Sequence, residues 1–266
     1  MDQKIFQQFR DLVYKNCGIN LNDSKVAMVS SRIAKRMRVL NIKDHSDYLE
    51  HLKKDKSGDE ITKFLDVIST NVTSFFREAE HFDLLEKIIT EIVASGQQRI
   101  RIWCAAASTG EEPYTIAMVS HLAAAGKLLD LKILSTDIST KVLAEAKTAK
   151  YDIEKVKTIP KVLLMEYFKS EKEGDKHLYS VKDVLKRLVV FKRLNLFKPP
   201  FPMKGPMDVV FCRNVMIYFD NPTRERLVSE IYRLLKPGGY LITGHAESLT
   251  SIKNNFKCLK PSIFQK

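Results

Sequence analysis

From Ile100 onward, short apolar runs and longer helical patterns take turns along the chain, and this alternation constrains the fold more than any other feature. Ile100–Ala106, Leu131–Asp137, Leu188–Leu194, Met207–Cys212 and Tyr240–Gly244 read as strands, each a brief apolar run bounded by polar or turn residues. Residues 79–94, Pro113–Ala125, Thr140–Lys147 and Thr223–Leu235 read as helices. Strands separated by helices need crossover connections, so the pattern predicts a mainly parallel sheet covered on both faces. The tail Phe256–Gln265 carries Pro261 amid apolar residues, which suits an antiparallel hairpin at a sheet edge. Lys236-Pro237-Gly238-Gly239 predicts a tight turn into the last of the five strands.

Before residue 70 there is no strand signal. Ile5, Phe6, Phe9, Leu12 and Val13 form one helical stripe, and Val26, Val29, Ile33, Met37 and Leu40 form a second, capped by Asn22, Asp23 or Ser24. Tyr48, Leu49 and Leu52, then Ile61, Phe64, Leu65 and Ile68, complete a predicted helical bundle over residues 1–76, with residues 77–266 as the mixed α/β domain. No apolar run is long enough for a membrane span and the N-terminus has no apolar signal core, so a cytoplasmic protein without membrane insertion is expected. Four well-separated cysteines offer neither a zinc site nor a disulfide framework, and no metal is expected.

In an open parallel sheet the ligand site lies beyond the C-terminal ends of the strands. The first strand runs into Ala105-Ala106-Ala107-Ser108-Thr109-Gly110-Glu111-Glu112-Pro113: small residues, a glycine for the turn, and a proline suited to the first turn of a helix. This is neither a G-x-G-x-x-G fingerprint nor a P-loop, and two carboxylates at the helix start repel pyrophosphate, so a cationic or hydroxyl-rich ligand fits better. Asp137 closes the second strand, where Rossmann-like folds hold ribose hydroxyls; the alternative is that it caps the next helix. Arg213-Asn214-Val215-Met216-Ile217-Tyr218-Phe219 puts polar groups and a phenol at the same edge.

Five segments in this order resemble the chemotaxis-receptor glutamate O-methyltransferases of the CheR type: Asn71–Arg77 (NVTSFFR), Ala106–Tyr114 (AASTGEEPY), Ser135–Ile138 (STDI), Cys212–Phe219 (CRNVMIYF) and Leu235–Gly239 (LKPGG). The resemblance covers essentially the whole chain. It implies a Rossmann-like methyltransferase domain using S-adenosylmethionine, an N-terminal all-α domain, and a small antiparallel β subdomain inserted at about 165–190. By similarity, Asn71, Thr73, Arg77, Glu112, Asp137, Asn195, Leu196, Arg213 and Asn214 line the cofactor pocket. The implied acceptor is a receptor glutamate, already ionised near neutral pH, so no general base is needed. Arg77 and Tyr218 are the candidates to orient it. His81 and His245 have no part in that chemistry and read as structural.

The chain carries a net charge of +12, which bounds its partner to an anion. Residues 1–80 are nearly balanced, yet Lys25, Arg32, Lys35, Arg36 and Arg38 occur with no acidic residue between Asp23 and Asp44. Lys25, Arg32 and Arg36 fall in line on the predicted helix, and Arg32 and Arg36, four apart, repel unless an anion lies between them. The resemblance makes this a docking helix for the acidic methylation helices of receptors. Some members of the family tether a C-terminal receptor pentapeptide on the inserted subdomain through a glycine-rich loop; here Gly174 stands alone among charges, so no pentapeptide tether is expected. A nucleic-acid methyltransferase is disfavoured by the lack of an N/D-P-P-[YF] motif or a catalytic cysteine pair, and a non-catalytic cofactor sensor by the presence of Arg77, Asp137 and Tyr218. A monomer is the default.

Overall fold

The computed structural model describes residues 1–127 and 129–266. Four helices come first: α1 (Gln3–Cys17), α2 (Val26–Val39), α3 (His45–Lys54) and α4 (Asp59–Ile68). Their apolar stripes meet in one core containing Phe6, Phe9, Val29, Ile33, Tyr48 and Phe64, all fully buried. Asp2 caps α1 and Asp44 caps α3 through side-chain bonds to backbone N–H groups. Helix α2 has no such cap. A short 3₁₀ turn, Asp23–Lys25, leads into it, and Asp23 instead pairs with Arg10 at 3.2 Å.

The rest of the chain alternates as expected. Helix α5 (Glu80–Ala94) precedes β1 (Arg99–Cys104), α6 (Glu111–Ala123), β2 (Asp130–Asp137) and α7 (Thr140–Thr148). Next come β3 (Lys150–Asp152), α8 (Ile153–Val156), α9 (Lys161–Tyr167), β4 (Phe168–Glu173), β5 (Lys176–Val181) and α10 (Asp183–Lys186). The chain ends through β6 (Val189–Arg193), β7 (Met207–Cys212), α11 (Asn221–Leu234), β8 (Leu235–Thr243), β9 (Lys257–Lys260) and β10 (Ile263–Gln265). Seven strands form one sheet in the order β6-β2-β1-β7-β8-β10-β9; the first five run parallel, while β10 is antiparallel to β8 and β9 antiparallel to β10. A separate antiparallel sheet has the order β3-β5-β4. It begins at Lys150, upstream of the segment assigned to it from sequence, because β3 reaches back to pair with the centre of β5.

Two core layers flank the large sheet. Ile102, Ile133, Val209, Phe211 and Ile242 pack with α5 and α6 on one face, and Trp103, Val210 and Leu241 pack with α11 on the other. Pairing of residues n and n+1 to opposite faces is the period-2 rule of a strand buried on both sides.

Two local expectations change. Helix α6 starts two residues early, at Glu111, because Gly110 at φ 98° turns the chain and places Glu111 and Glu112 in the first turn, where the helix dipole favours carboxylates. Lys236–Gly239 is not a tight turn. It is the first half of β8, which slips register against β7 between Met207 and Val209, with Gly238 at φ 75° and its N–H bonded to the Lys266 carbonyl at 2.9 Å.

Candidate active site

The C-terminal ends of β1, β2 and β7 open toward the N-terminal helices, and between them lies a cavity of about 310 Å³. It is lined by all nine residues expected to hold the cofactor and by Tyr218. Lys25 and Arg32 reach it from the helical side.

The loop after β1 is tied to its neighbours by backbone bonds: Ala105 N–H to Phe211 O at 2.8 Å, and Ala107 N–H to Thr136 O at 2.9 Å. This ends β1 at Cys104 and fixes the small-residue loop against the β2 end. Asp137 Oδ2 accepts from Ser108 N–H and Oδ1 from Ser139 N–H, both at 2.9 Å. It therefore clamps two loops and does not cap α7; Ser139 does that through Val142 N–H. Burial raises the Asp137 carboxyl above its usual range against the pull of these amides. Gly110 has no room for a side chain, since a Cβ would meet the Tyr151 hydroxyl at 2.6 Å.

Glu112 sits on α6 with its carboxylate against Arg213 at 2.8 Å and the Cys104 thiol at 3.1 Å. Burial pushes the Glu112 carboxyl up, and Arg213 pulls it back. Arg213 is itself fully buried and also donates to the Arg77 carbonyl and to Glu78 at 3.1 Å, with its guanidinium over the Phe82 ring. Three segments far apart in sequence are thus locked around one guanidinium. Arg77 donates to the Val72 carbonyl at 3.1 Å, which curls Asn71–Arg77 over the cavity, and Ser108 Oγ donates to Asn71 O at 2.9 Å.

The loop after β7 depends on a residue the sequence reading passed over. Glu247, 1% exposed, accepts from the backbone N–H groups of Asn214, Val215, Met216 and Ile217 and from Gly244 N–H. A carboxylate bound by several amides is a strong local anchor, and it presents Asn214 and Tyr218 to the cavity. Its sequence signal was the short motif Gly244-His245-Ala246-Glu247 directly after a strand, at the same sheet edge as the other motifs. Phe76, Glu78, Ser108 and Asn214 all adopt left-handed backbone conformations around this cavity. Such conformations cost about 1–3 kcal/mol each in non-glycine residues and persist where surrounding bonds impose them.

Asn195 lies in the cavity as expected, and one docking assignment changes. The Asn195 amide is engaged in structure: Nδ2 donates to the Asn16 carbonyl at 2.7 Å, and Oδ1 accepts from Phe197 N–H at 3.1 Å. Among the basic residues of α2, Arg36 is not free to meet a receptor. It forms a two-point ion pair with Glu60, Nε to Oε1 at 2.8 Å and Nη2 to Oε2 at 2.5 Å, and the two side chains are only 14% and 8% exposed. Arg32 donates to the carbonyls of Ile68 and Ser69 at the end of α4. Arg36 is thus neutralised by Glu60 and Arg32 is held by carbonyl oxygens, so each finds its partner within the chain. Lys25, Lys35 and Arg38 remain exposed.

An open parallel sheet with antiparallel final strands, a small-residue loop after β1 and an acidic residue ending β2 defines the class: a methyltransferase that uses S-adenosylmethionine. Comparison with known proteins agrees. Residues 71–264 match the family described as CheR methyltransferase, SAM binding domain, and residues 4–69 match CheR methyltransferase, all-alpha domain. The chain is 39% identical over 262 residues to the chemotaxis protein methyltransferase of Borreliella burgdorferi, covering 96% of this chain and 91% of that one. It is 38% identical to the chemotaxis protein methyltransferases of Klebsiella aerogenes, covering 94% and 85%, and of Escherichia coli K12, covering 97% and 89%. The chain belongs to the CheR methyltransferase family. Its activity is S-adenosylmethionine-dependent methylation in chemotaxis, and among the described residues no helix is long and apolar enough to cross a membrane.

Proposed function

We propose that the protein esterifies glutamate side chains on the cytoplasmic methylation helices of chemotaxis receptors. The observation that carries this is the make-up of one cavity: acidic residues, Glu112 and Asp137, at its inner strand-end wall, and Arg77, Arg32, Lys25 and the Tyr218 phenol elsewhere around it. The donor, when bound, supplies a methyl group on a sulfonium cation. Asp137 suits the ribose hydroxyls, and the Glu112–Arg213 pair together with Asn214 suits the charged amino-acid end. Asn71, Thr73 and Leu196 complete the lining.

A glutamate acceptor has a pKa of about 4.3 in water and is already a nucleophile near neutral pH. What the chain must contribute is orientation. Arg77 and Tyr218 can hold the carboxylate, Arg77 by charge and Tyr218 by its hydroxyl. A very tight arginine contact would make the carboxylate less reactive, so positioning is the role that fits. The exposed cations on and just before α2, Lys25, Lys35 and Arg38, draw an acidic helix toward the cavity.

The turn between β4 and β5 consists only of Gly174 and Asp175, which supports the reading that a receptor pentapeptide is not needed as a tether. Calorimetry with such a peptide should show no binding in the micromolar range. The main reading is tested by methyl transfer from tritiated S-adenosylmethionine to receptor cytoplasmic fragments, with bulk RNA as a parallel acceptor. The expected product releases volatile labelled methanol in base. Base-stable label, or label on RNA alone, overturns it.

A further inference from the structure

Beside the cavity, and outside its lining, three side chains converge: Glu78, His81 at the start of α5, and His245 after β8, each with a potential ligand atom within 4.8 Å of the others. His81 is enclosed by its neighbours. The ring is 0% exposed, and Nε2 lies 2.8 Å from Ser262 Oγ. The Ser262 hydroxyl also lies 2.6 Å from the Pro261 carbonyl, and when it donates there it accepts from the ring. In that tautomer Nε2 carries the proton and Nδ1 of the neutral imidazole is a bare lone pair. That nitrogen has no hydrogen-bond partner, yet it faces the Glu78 carboxylate at 3.4 Å.

A buried lone pair aimed at a carboxylate is repulsive unless a cation lies between them. Arg213 donates to the same Glu78 oxygen, Oε2, at 3.1 Å, which offsets part of its charge but leaves the His81 nitrogen itself without a partner. A histidine that gives one N–H to a protein oxygen and turns its other nitrogen inward is the arrangement that orients a metal-binding imidazole. His245 packs edge-on to His81 with ring centroids 5.1 Å apart, and Glu80 adds a second carboxylate, its Oε1 2.5 Å from His245 Nε2.

The geometry points to a binding site for a divalent transition-metal ion formed by Glu78, His81 and His245. Two imidazoles and a carboxylate suit Zn²⁺ and the neighbouring first-row ions better than Mg²⁺ or Ca²⁺, which prefer all-oxygen sites. Because Glu78 also bonds Arg213, an ion here is one carboxylate away from the cofactor cavity.

The test titrates the chelator-stripped full-length chain with Zn²⁺ by calorimetry and with Co²⁺ by visible absorbance. Cys258→Ser is carried throughout, since its exposed thiol is a competing ligand. The expected result is one ion per chain at micromolar affinity or tighter, with ligand-field bands in the Co²⁺ form. His245 is 53% exposed, so His245→Ala should leave the melting profile of the metal-free protein unchanged while weakening binding by at least about tenfold. His81→Gln, at a buried position, should also weaken binding at least about tenfold. No stoichiometric binding, or binding that His245→Ala weakens by less than this, overturns the site.

Discussion

At the scale of single residues, Arg36 shows how a charge pattern divides once its contacts are known. The helical wheel correctly put Arg32 and Arg36 on one side of α2, but a wheel describes one helix, and Glu60 lies 24 positions away on α4. Glu60 also accepts from the Tyr48 hydroxyl at 2.9 Å, so the ion pair is woven into the N-terminal core. Breaking a largely buried pair leaves a carboxylate without its partner, at a cost of about 3 kcal/mol. Arg36→Met should therefore lower stability by about that amount in urea unfolding, whereas Arg38→Glu should change it by less than about 0.5 kcal/mol. Burial opposes ionisation of Glu60, but hydrogen bonds from Arg36 and Tyr48 outweigh it and hold the carboxyl below its usual value of 4.5. A carboxyl depressed in the folded state contributes fully above its unfolded pKa and loses that contribution as pH falls through the folded one. Thermal unfolding followed downward from about pH 6 should thus decline below pH 4.5, and less steeply in Glu60→Gln than in the wild type.

At the scale of elements, the strands were legible because burial on both faces leaves near-continuous apolar runs, and Met207–Cys212 has the bounds read from sequence. The residues at their ends were legible as a set because an open parallel sheet brings its C-terminal ends together. What the sequence could not display is which groups hold those ends in place. Glu247 follows a different strand from the loop it anchors, and its partners are backbone amides, which leave no mark on residue type. Glu247→Ala should release Asn214–Ile217, lower stability by about 3 kcal/mol and weaken S-adenosylhomocysteine binding at least tenfold, roughly. A calorimetric titration that matched wild type would show that the loop holds its shape without the carboxylate. Gly110→Ala acts on the neighbouring loop by a different route, through a strained φ of 98° and collision with Tyr151. Its cofactor affinity should fall as well, while Gly96→Ala, where a Cβ meets nothing, serves as the comparison for backbone strain alone.

At the scale of the whole molecule, the N-terminal helices and the sheet meet through specific polar bonds that no local pattern reveals. Tyr14 donates to Asp220 at 2.6 Å, Asn20 N–H bonds the Tyr218 carbonyl at 2.8 Å, and Thr140 donates to Asp66 through both N–H and Oγ1. The helical domain is therefore a wall of the active site as well as a candidate docking platform, and a variant meant to test docking must spare the wall. Arg32 and Arg36 fail that requirement, because one bonds the end of α4 and the other the core. Lys35 and Arg38 meet it: both are exposed and neither lines the cavity. Lys35→Glu with Arg38→Glu reverses two charges on α2 without touching an internal partner of Lys35, and Arg38 gives up only a long bond to the Ala34 carbonyl. If α2 receives an acidic receptor helix, methylation at low receptor concentration should fall about tenfold or more, with S-adenosylhomocysteine affinity and melting temperature unchanged. The same electrostatics makes wild-type methylation decrease with added salt, since exposed charges beyond about 8–10 Å are screened near physiological ionic strength. The double variant should have lost most of that salt dependence; if it methylates receptor as the wild type does at every salt concentration, the acidic helix docks elsewhere on the protein.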